Sequence, residues 1–120
     1  VHLPGYIDDA DKGALYAGAL ALLFPYLYEG FGFPVLEAMH CGPPVITSST
    51  SSLPELAGDA ALLVDPLDVD AVVNKMTRLS ANDEMRDLLR EKGHVQVQRF
   101  TWARAAEQTL KALETAAQQA

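Results

Sequence analysis

The chain has 120 residues, of which 49% are apolar and 21% charged, with a formal net charge of −7 and a single cysteine, Cys41. That length suits one domain or part of a larger one, and the composition favours a buried core over disorder. The acidic balance argues against a protein that grips nucleic acid through a basic face, and one cysteine excludes an intrachain disulfide and a cysteine-rich metal site.

The order of elements can be read from periodicity and breakers. Val1-His2-Leu3 offers a short first strand. Asp8-Asp9 supply a cap for a helix over Ala10 to Ala19. Leu20 to Phe24 is a continuous apolar run closed by Pro25, the pattern of a buried parallel strand. The longest uncharged run, Gly13 to Tyr28, contains Gly18 and Pro25 and falls short of the roughly 20 apolar residues a spanning helix needs.

Next comes Glu29-Gly30-Phe31-Gly32-Phe33-Pro34-Val35-Leu36-Glu37, with Pro34 suited to a first helical turn and a helix predicted over Val35 to His40. Cys41-Gly42-Pro43-Pro44 stops that helix. Val45-Ile46-Thr47 forms the next strand, then a hydroxyl run, Ser48 to Ser52, then a short helix opening at Pro54-Glu55-Leu56 and closed by Gly58. Ala61 to Val64 is the last strand. Beyond Asp65-Pro66 the pattern turns wholly helical. Val69, Val72, Val73, Met76 and Leu79 mark one helix, and Met85, Leu88 and Leu89 mark a second that Gly93 interrupts. Thr101 caps a third, with Trp102, Ala105, Ala106, Leu110 and Leu113 on one face.

Strands alternating with helices over 1–66 imply an α/β fold with a doubly wound, Rossmann-like parallel sheet, of which only about half is accounted for. Residues 67–120 are read as C-terminal helices of the same domain, with Trp102 packing the last helix onto the body. The sheet so cut leaves an unpaired edge. The first strands of this domain and a separate N-terminal Rossmann domain are therefore expected to come from outside the chain, which begins at Val1 and looks like a piece of something longer.

Ligands in such sheets bind beyond the carboxyl ends of the strands, where the loop with two glutamates lies. Gly30 and Gly32 let the backbone approach a ligand closely. The amides of Phe31, Gly32 and Phe33 open a helix and suit a diphosphate. Ionised Glu29 and Glu37 accept hydrogen bonds, and sugar hydroxyls donate them. Together these point to a nucleoside diphosphate sugar.

The loop, written EGFGFPVLEAM, resembles the E-x7-E signature of retaining glycosyltransferase family 4, enzymes of the two-domain GT-B fold. The likeness continues through Leu15-Tyr16-Ala17-Gly18-Ala19, Cys41-Gly42-Pro43-Pro44-Val45-Ile46, Ser51-Ser52-Leu53-Pro54-Glu55, Gly58-Asp59-Ala60, Leu63-Val64-Asp65-Pro66 and Phe100-Thr101-Trp102. It implies that the full-length protein transfers a hexose from a nucleotide donor to a sugar, polysaccharide or lipid-linked acceptor with retention at the anomeric carbon. Glu29 would contact the donor-sugar hydroxyls, as the catalytic residue of the site. Gly30, Phe31, Gly32 and Phe33 would meet sugar and phosphate, and Glu37 would hold the ribose.

The segment around Ile7, Asp9 and Lys12 lines the base pocket in relatives. Asp9 there suits guanine, which points to a GDP-linked sugar such as GDP-mannose, with a UDP donor left open. No metal or other cofactor is implied, since basic residues and helix dipoles can stabilise the leaving diphosphate. The family's Arg/Lys pair and its acceptor-site histidine match nothing here, so this portion alone is expected to be inactive. A cytoplasmic location, peripheral to a membrane if the acceptor is lipid-linked, fits the missing leader.

Blander readings sit beside these. Glu37 in an early helical turn gains about 0.3–1 kcal/mol from the dipole without any ligand, and Asp8 and Asp9 can be plain caps. Cys41 reads as a small core filler and His40 as a helix-end residue, because neighbours on a helix point apart. The serine run lacks a nucleophile elbow and is expected to line the site or cap the Pro54 helix. A stand-alone, non-catalytic nucleotide-binding or assembly half-domain is the competing reading. A nicotinamide-binding half is disfavoured, as no Gly-x-Gly-x-x-Gly follows a strand.

Overall fold

The computed structural model describes residues 1–119. In chain order the elements are α1 (Asp9–Ala17), β1 (Leu22–Phe24), α2 (Phe33–Cys41), β2 (Val45–Ser48), α3 (Leu53–Ala57), β3 (Ala61–Val64), α4 (Val69–Ser80), α5 (Asp83–Val97) and α6 (Trp102–Gln119). The three strands form one parallel sheet in the order β1-β2-β3. Leu22 pairs with Val45, which in turn pairs with Ala61. β2 lies in the centre with all four residues buried; Val45 and Ile46 suit a strand covered on both faces, and the buried Thr47 hydroxyl is satisfied by donating to the Phe24 carbonyl at 2.9 Å.

Side chains leave the sheet on two faces. Phe24 and Val45 join Val35, Ala38 and Met39 of α2 and Leu53, Leu56 and Ala57 of α3 in one core cluster. Ile46 and Val64 join Leu79 of α4 and Leu89 of α5 in another. The α/β architecture with helices on both faces of a parallel sheet is therefore as expected. Helix α5 reaches both layers. Its Leu89 sits in the second cluster, while a side chain at Gly93 would come within 3.3 Å of Met39 Cγ. Arg90 Nε donates to the Gly42 carbonyl at 3.2 Å, and Gln96 Nε2 to the Leu56 carbonyl at 2.8 Å.

Several expectations need correction. Residues 1–3 form no strand; an isolated three-residue segment without a ladder partner has nowhere to place its backbone hydrogen bonds. Gly93 does not interrupt a helix. α5 runs through it, and the residue is glycine because Met39 leaves no comfortable room for more. Trp102 is not core: it is 81% exposed, and α6 buries none of its described residues. Helix α2 begins at Phe33, two residues earlier than read, because Gly32 in the left-handed region (φ 101°) turns the chain directly into it. Asp8 stands at the N-cap of α1 without a side-chain bond, whereas Asp68 and Asn82 cap α4 and α5 through Ala71 N and Met85 N. Thr101 caps α6 as expected, accepting from Arg104 N at 3.2 Å. Cys41 is half-buried at the last residue of α2 and His40 beside it is exposed.

Among the described residues β1 pairs with β2 alone, so its other edge has no strand beside it. No helix of the described residues is long and apolar enough to cross a membrane.

Candidate functional site

The loop from Pro25 to Gly32 leaves the carboxyl end of β1 and delivers the chain to the N-terminus of α2. Gly32 is fixed by two constraints at once. Its φ of 101° suits a residue without Cβ, and a Cβ built there would lie 2.7 Å from Leu53 Cδ2 and 3.0 Å from Leu56 Cδ2. The turn is thus pressed against α3. Val35 N donates back to the Gly32 carbonyl at 3.0 Å, closing the first turn. Among the described residues no acceptor takes up the N–H groups of Phe31, Gly32 or Phe33, which leaves donors at the positive end of α2.

Glu29 is half-buried, and its side chain folds back towards that turn. Its Cγ lies 3.8 Å from the point a Cβ of Gly32 would occupy. Glu37 sits one turn into α2 and is also half-buried. The hydroxyl of Tyr16, reaching across from α1, donates to Glu37 Oε2 at 3.1 Å. Burial raises the Tyr16 phenol above its ordinary value, and the Glu37 charge adds to the effect. The phenol therefore stays a neutral donor through the physiological range. Lys12 stands one turn earlier on α1 and pairs with Asp9 at 2.8 Å. The hydrogen bond with Lys12, followed by its charge, lowers the exposed Asp9 carboxyl, and the same contact raises Lys12.

The structure therefore gathers Lys12, Tyr16 and Glu37 across the α1–α2 contact and holds Glu29 at the start of α2. Gly30 has open space around it, with nothing within 4 Å of an added Cβ. Ile7 is half-buried in the segment before α1. Asp9 is engaged with Lys12, so reading a base edge would mean sharing or breaking that exposed ion pair.

The hydroxyl run does not cap α3, which has no side-chain cap; it staples the loop. Ser51 Oγ accepts from Glu29 N at 3.1 Å and donates to the Glu29 carbonyl at 2.7 Å. Ser52 Oγ also reaches that carbonyl at 2.7 Å and the Phe31 carbonyl at 3.2 Å. Ser48 Oγ donates to the Tyr26 carbonyl at 2.6 Å, and Thr50 Oγ1 to the Leu27 carbonyl at 3.3 Å. The loop's backbone is thus fixed by side chains from the next strand's end rather than by its own turns. Ser51 carries a φ of 61°, unusual for a residue other than glycine. The signal in the sequence was the match between a string of hydroxyls after one parallel strand and a long loop after its neighbour.

A cleft of about 610 Å³ opens on the other side of the loop, between Phe31, Phe33, Phe100, Trp102 and the arginines 99 and 104. Neither glutamate lines it. The Phe31 and Phe33 rings lie 4.7 Å apart, and Trp102 is 6.4 Å from Phe33. Among the described residues no group of three His, Cys, Asp or Glu side chains is placed to hold a metal ion.

Similarity to known proteins identifies the family. The family model described as glycosyl transferases group 1 matches residues 1–96. The chain is 44% identical over 108 residues to an O-antigen chain mannosyltransferase B of Escherichia coli, covering 90% of this chain and 28% of that protein. It is 37% identical to an MMP alpha-(1->4)-mannosyltransferase of Mycolicibacterium hassiacum, covering 97% of this chain and 29% of the relative. Among solved structures, a sucrose-phosphate synthase from Thermosynechococcus elongatus superposes with a TM-score of 0.81 at 31% identity, over 97% of this chain and 30% of the other. The chain thus spans under a third of the length of these proteins.

Proposed function

The chain belongs to the glycosyl transferases group 1 family, and from that premise we propose that it is the donor-binding part of a retaining glycosyltransferase that moves a hexose, most simply mannose, from a nucleoside diphosphate to an acceptor. Residues 1–66 form the nucleotide-sugar portion and 67–120 the helices that close the same domain. The earlier strands of that domain and an N-terminal Rossmann domain belong to the rest of a longer protein. The open edge of β1 is where those strands would continue the sheet. The acceptor is a sugar, polysaccharide or lipid-linked glycan bound by that other domain.

One observation carries the reading. Glu29 Cγ lies 3.8 Å from the point a Cβ of Gly32 would occupy, in the turn whose amides are unengaged among the described residues, and Glu37 is held one turn into α2. A diphosphate on those amides neutralises the partial charge of the helix end without a metal ion, since aligned donors stabilise the charge that grows on the leaving group. Glu29 accepts hydroxyls of the transferred sugar and Glu37 those of the ribose. Gly30 keeps the approach open. Ile7 borders the base, while Asp9 reads a guanine edge if its bond to Lys12 is exchanged for the ligand. The family resemblance and the mannosyltransferase names of two relatives favour a GDP-linked donor.

The test is turnover by the full-length protein. Glu29→Ala is expected to lower the transfer rate by at least about a hundredfold, in the range seen on removing one stabilising group from a reaction centre. Its unfolding midpoint should stay close to wild type, because the carboxylate makes no hydrogen bond among the described residues. Normal turnover in this variant would remove Glu29 from the reaction.

A further inference from the structure

The Glu37 carboxylate is held by a hydrogen bond from a side chain on a different helix, the Tyr16 hydroxyl of α1. We propose that Tyr16 is a positioning residue for the donor's ribose: by donating to Glu37 Oε2 it fixes the carboxylate so that Oε1 is left as the acceptor for ribose hydroxyls. This rests on the assignment of Glu37 to the ribose.

Three features of the contact suit that task. The Tyr16 ring packs against the core cluster formed by Phe24, Val35 and Met39, so its hydroxyl is a donor with a fixed address. A glutamate has three rotatable side-chain bonds, and a carboxylate already held in place loses less freedom when a ligand arrives. The donor is also neutral. Lys12 lies nearby, yet its ammonium is paired with Asp9 at 2.8 Å. A phenol orients the carboxylate without cancelling its charge, and a charged acceptor makes the stronger hydrogen bond to a hydroxyl.

The variant Tyr16→Phe removes the donor and keeps the ring. In the full-length protein the KM for the nucleotide sugar is expected to rise about three- to tenfold, with kcat and the unfolding midpoint close to wild type. Glu37→Ala should raise KM further. In that background the added Tyr16→Phe change should do nothing, because the phenol acts only through the acid. A wild-type KM in Tyr16→Phe beside a raised one in Glu37→Ala overturns the positioning role and leaves the ribose assignment standing. An equal penalty from Tyr16→Phe with and without Glu37 overturns it too, since the residue would then act by another route. An unchanged KM in Glu37→Ala overturns the ribose assignment itself, and the inference with it.

Discussion

Helices α2 and α6 carry apolar residues at helical spacing, yet the protein treats them differently. In α2 only nine residues long, Val35, Ala38 and Met39 are at most 2% exposed and sit between the sheet, α3 and α5. In α6, twice that length, Trp102, Leu110 and Leu113 remain 81%, 58% and 64% exposed. A hydrophobic stripe shows that a helix has a face to cover; what covers it is a separate fact, set by tertiary neighbours. The stability of residues 22–64 comes from burial, about 2–5 kcal/mol for a side chain such as Met39. α6 holds together chiefly through its own backbone bonds and the Thr101 cap.

The contrast can be broken at the start of α2. Gly32→Ala combines a left-handed backbone with a Cβ 2.7 Å from Leu53 Cδ2. It should cost about 2–4 kcal/mol in denaturant unfolding, the sum of backbone strain and overpacking. Gly30→Ala, with open space around it, is the control and should stay within about 0.5 kcal/mol. If the two variants unfold alike, the tight seat of Gly32 on α3 is wrong. At the other end of the scale, Trp102→Ser with Leu110→Ser should change the stability of the 120-residue chain by no more than about 0.5–1 kcal/mol, as exposed substitutions do. A larger loss there would mean that the α6 stripe is covered in solution.

These two regions also mark how far the sequence could be read. The strands, the order of elements and the loop between Glu29 and Glu37 are all local, so periodicity, Pro34 and the glycines reveal them. The Glu29 turn could be placed at a strand–helix junction for the same reason. What escaped detection joins residues far apart in the chain. The Tyr16–Glu37 bond spans 21 positions and the Ser51–Glu29 staple 22, so no window of local pattern contains either. Gly93 read as a breaker because the sequence does not announce Met39 opposite it. Trp102 read as core because its stripe gives no information about its cover. Asp68 and Asn82 cap α4 and α5 through side-chain bonds, whereas Asp8, read as a cap of α1, makes none.

The two acids are assigned to different parts of one ligand, and binding of the nucleotide without its sugar separates them. Titrating the full-length protein with GDP by calorimetry, alongside its Glu29→Ala and Glu37→Ala variants, tests the assignment directly. Loss of a hydrogen-bonded charge on the ribose should weaken GDP binding at least about tenfold in Glu37→Ala, while Glu29→Ala should bind GDP as the wild type does. Equal affinity in all three proteins, or a loss confined to Glu29→Ala, would contradict the placement of the donor across the mouth of α2.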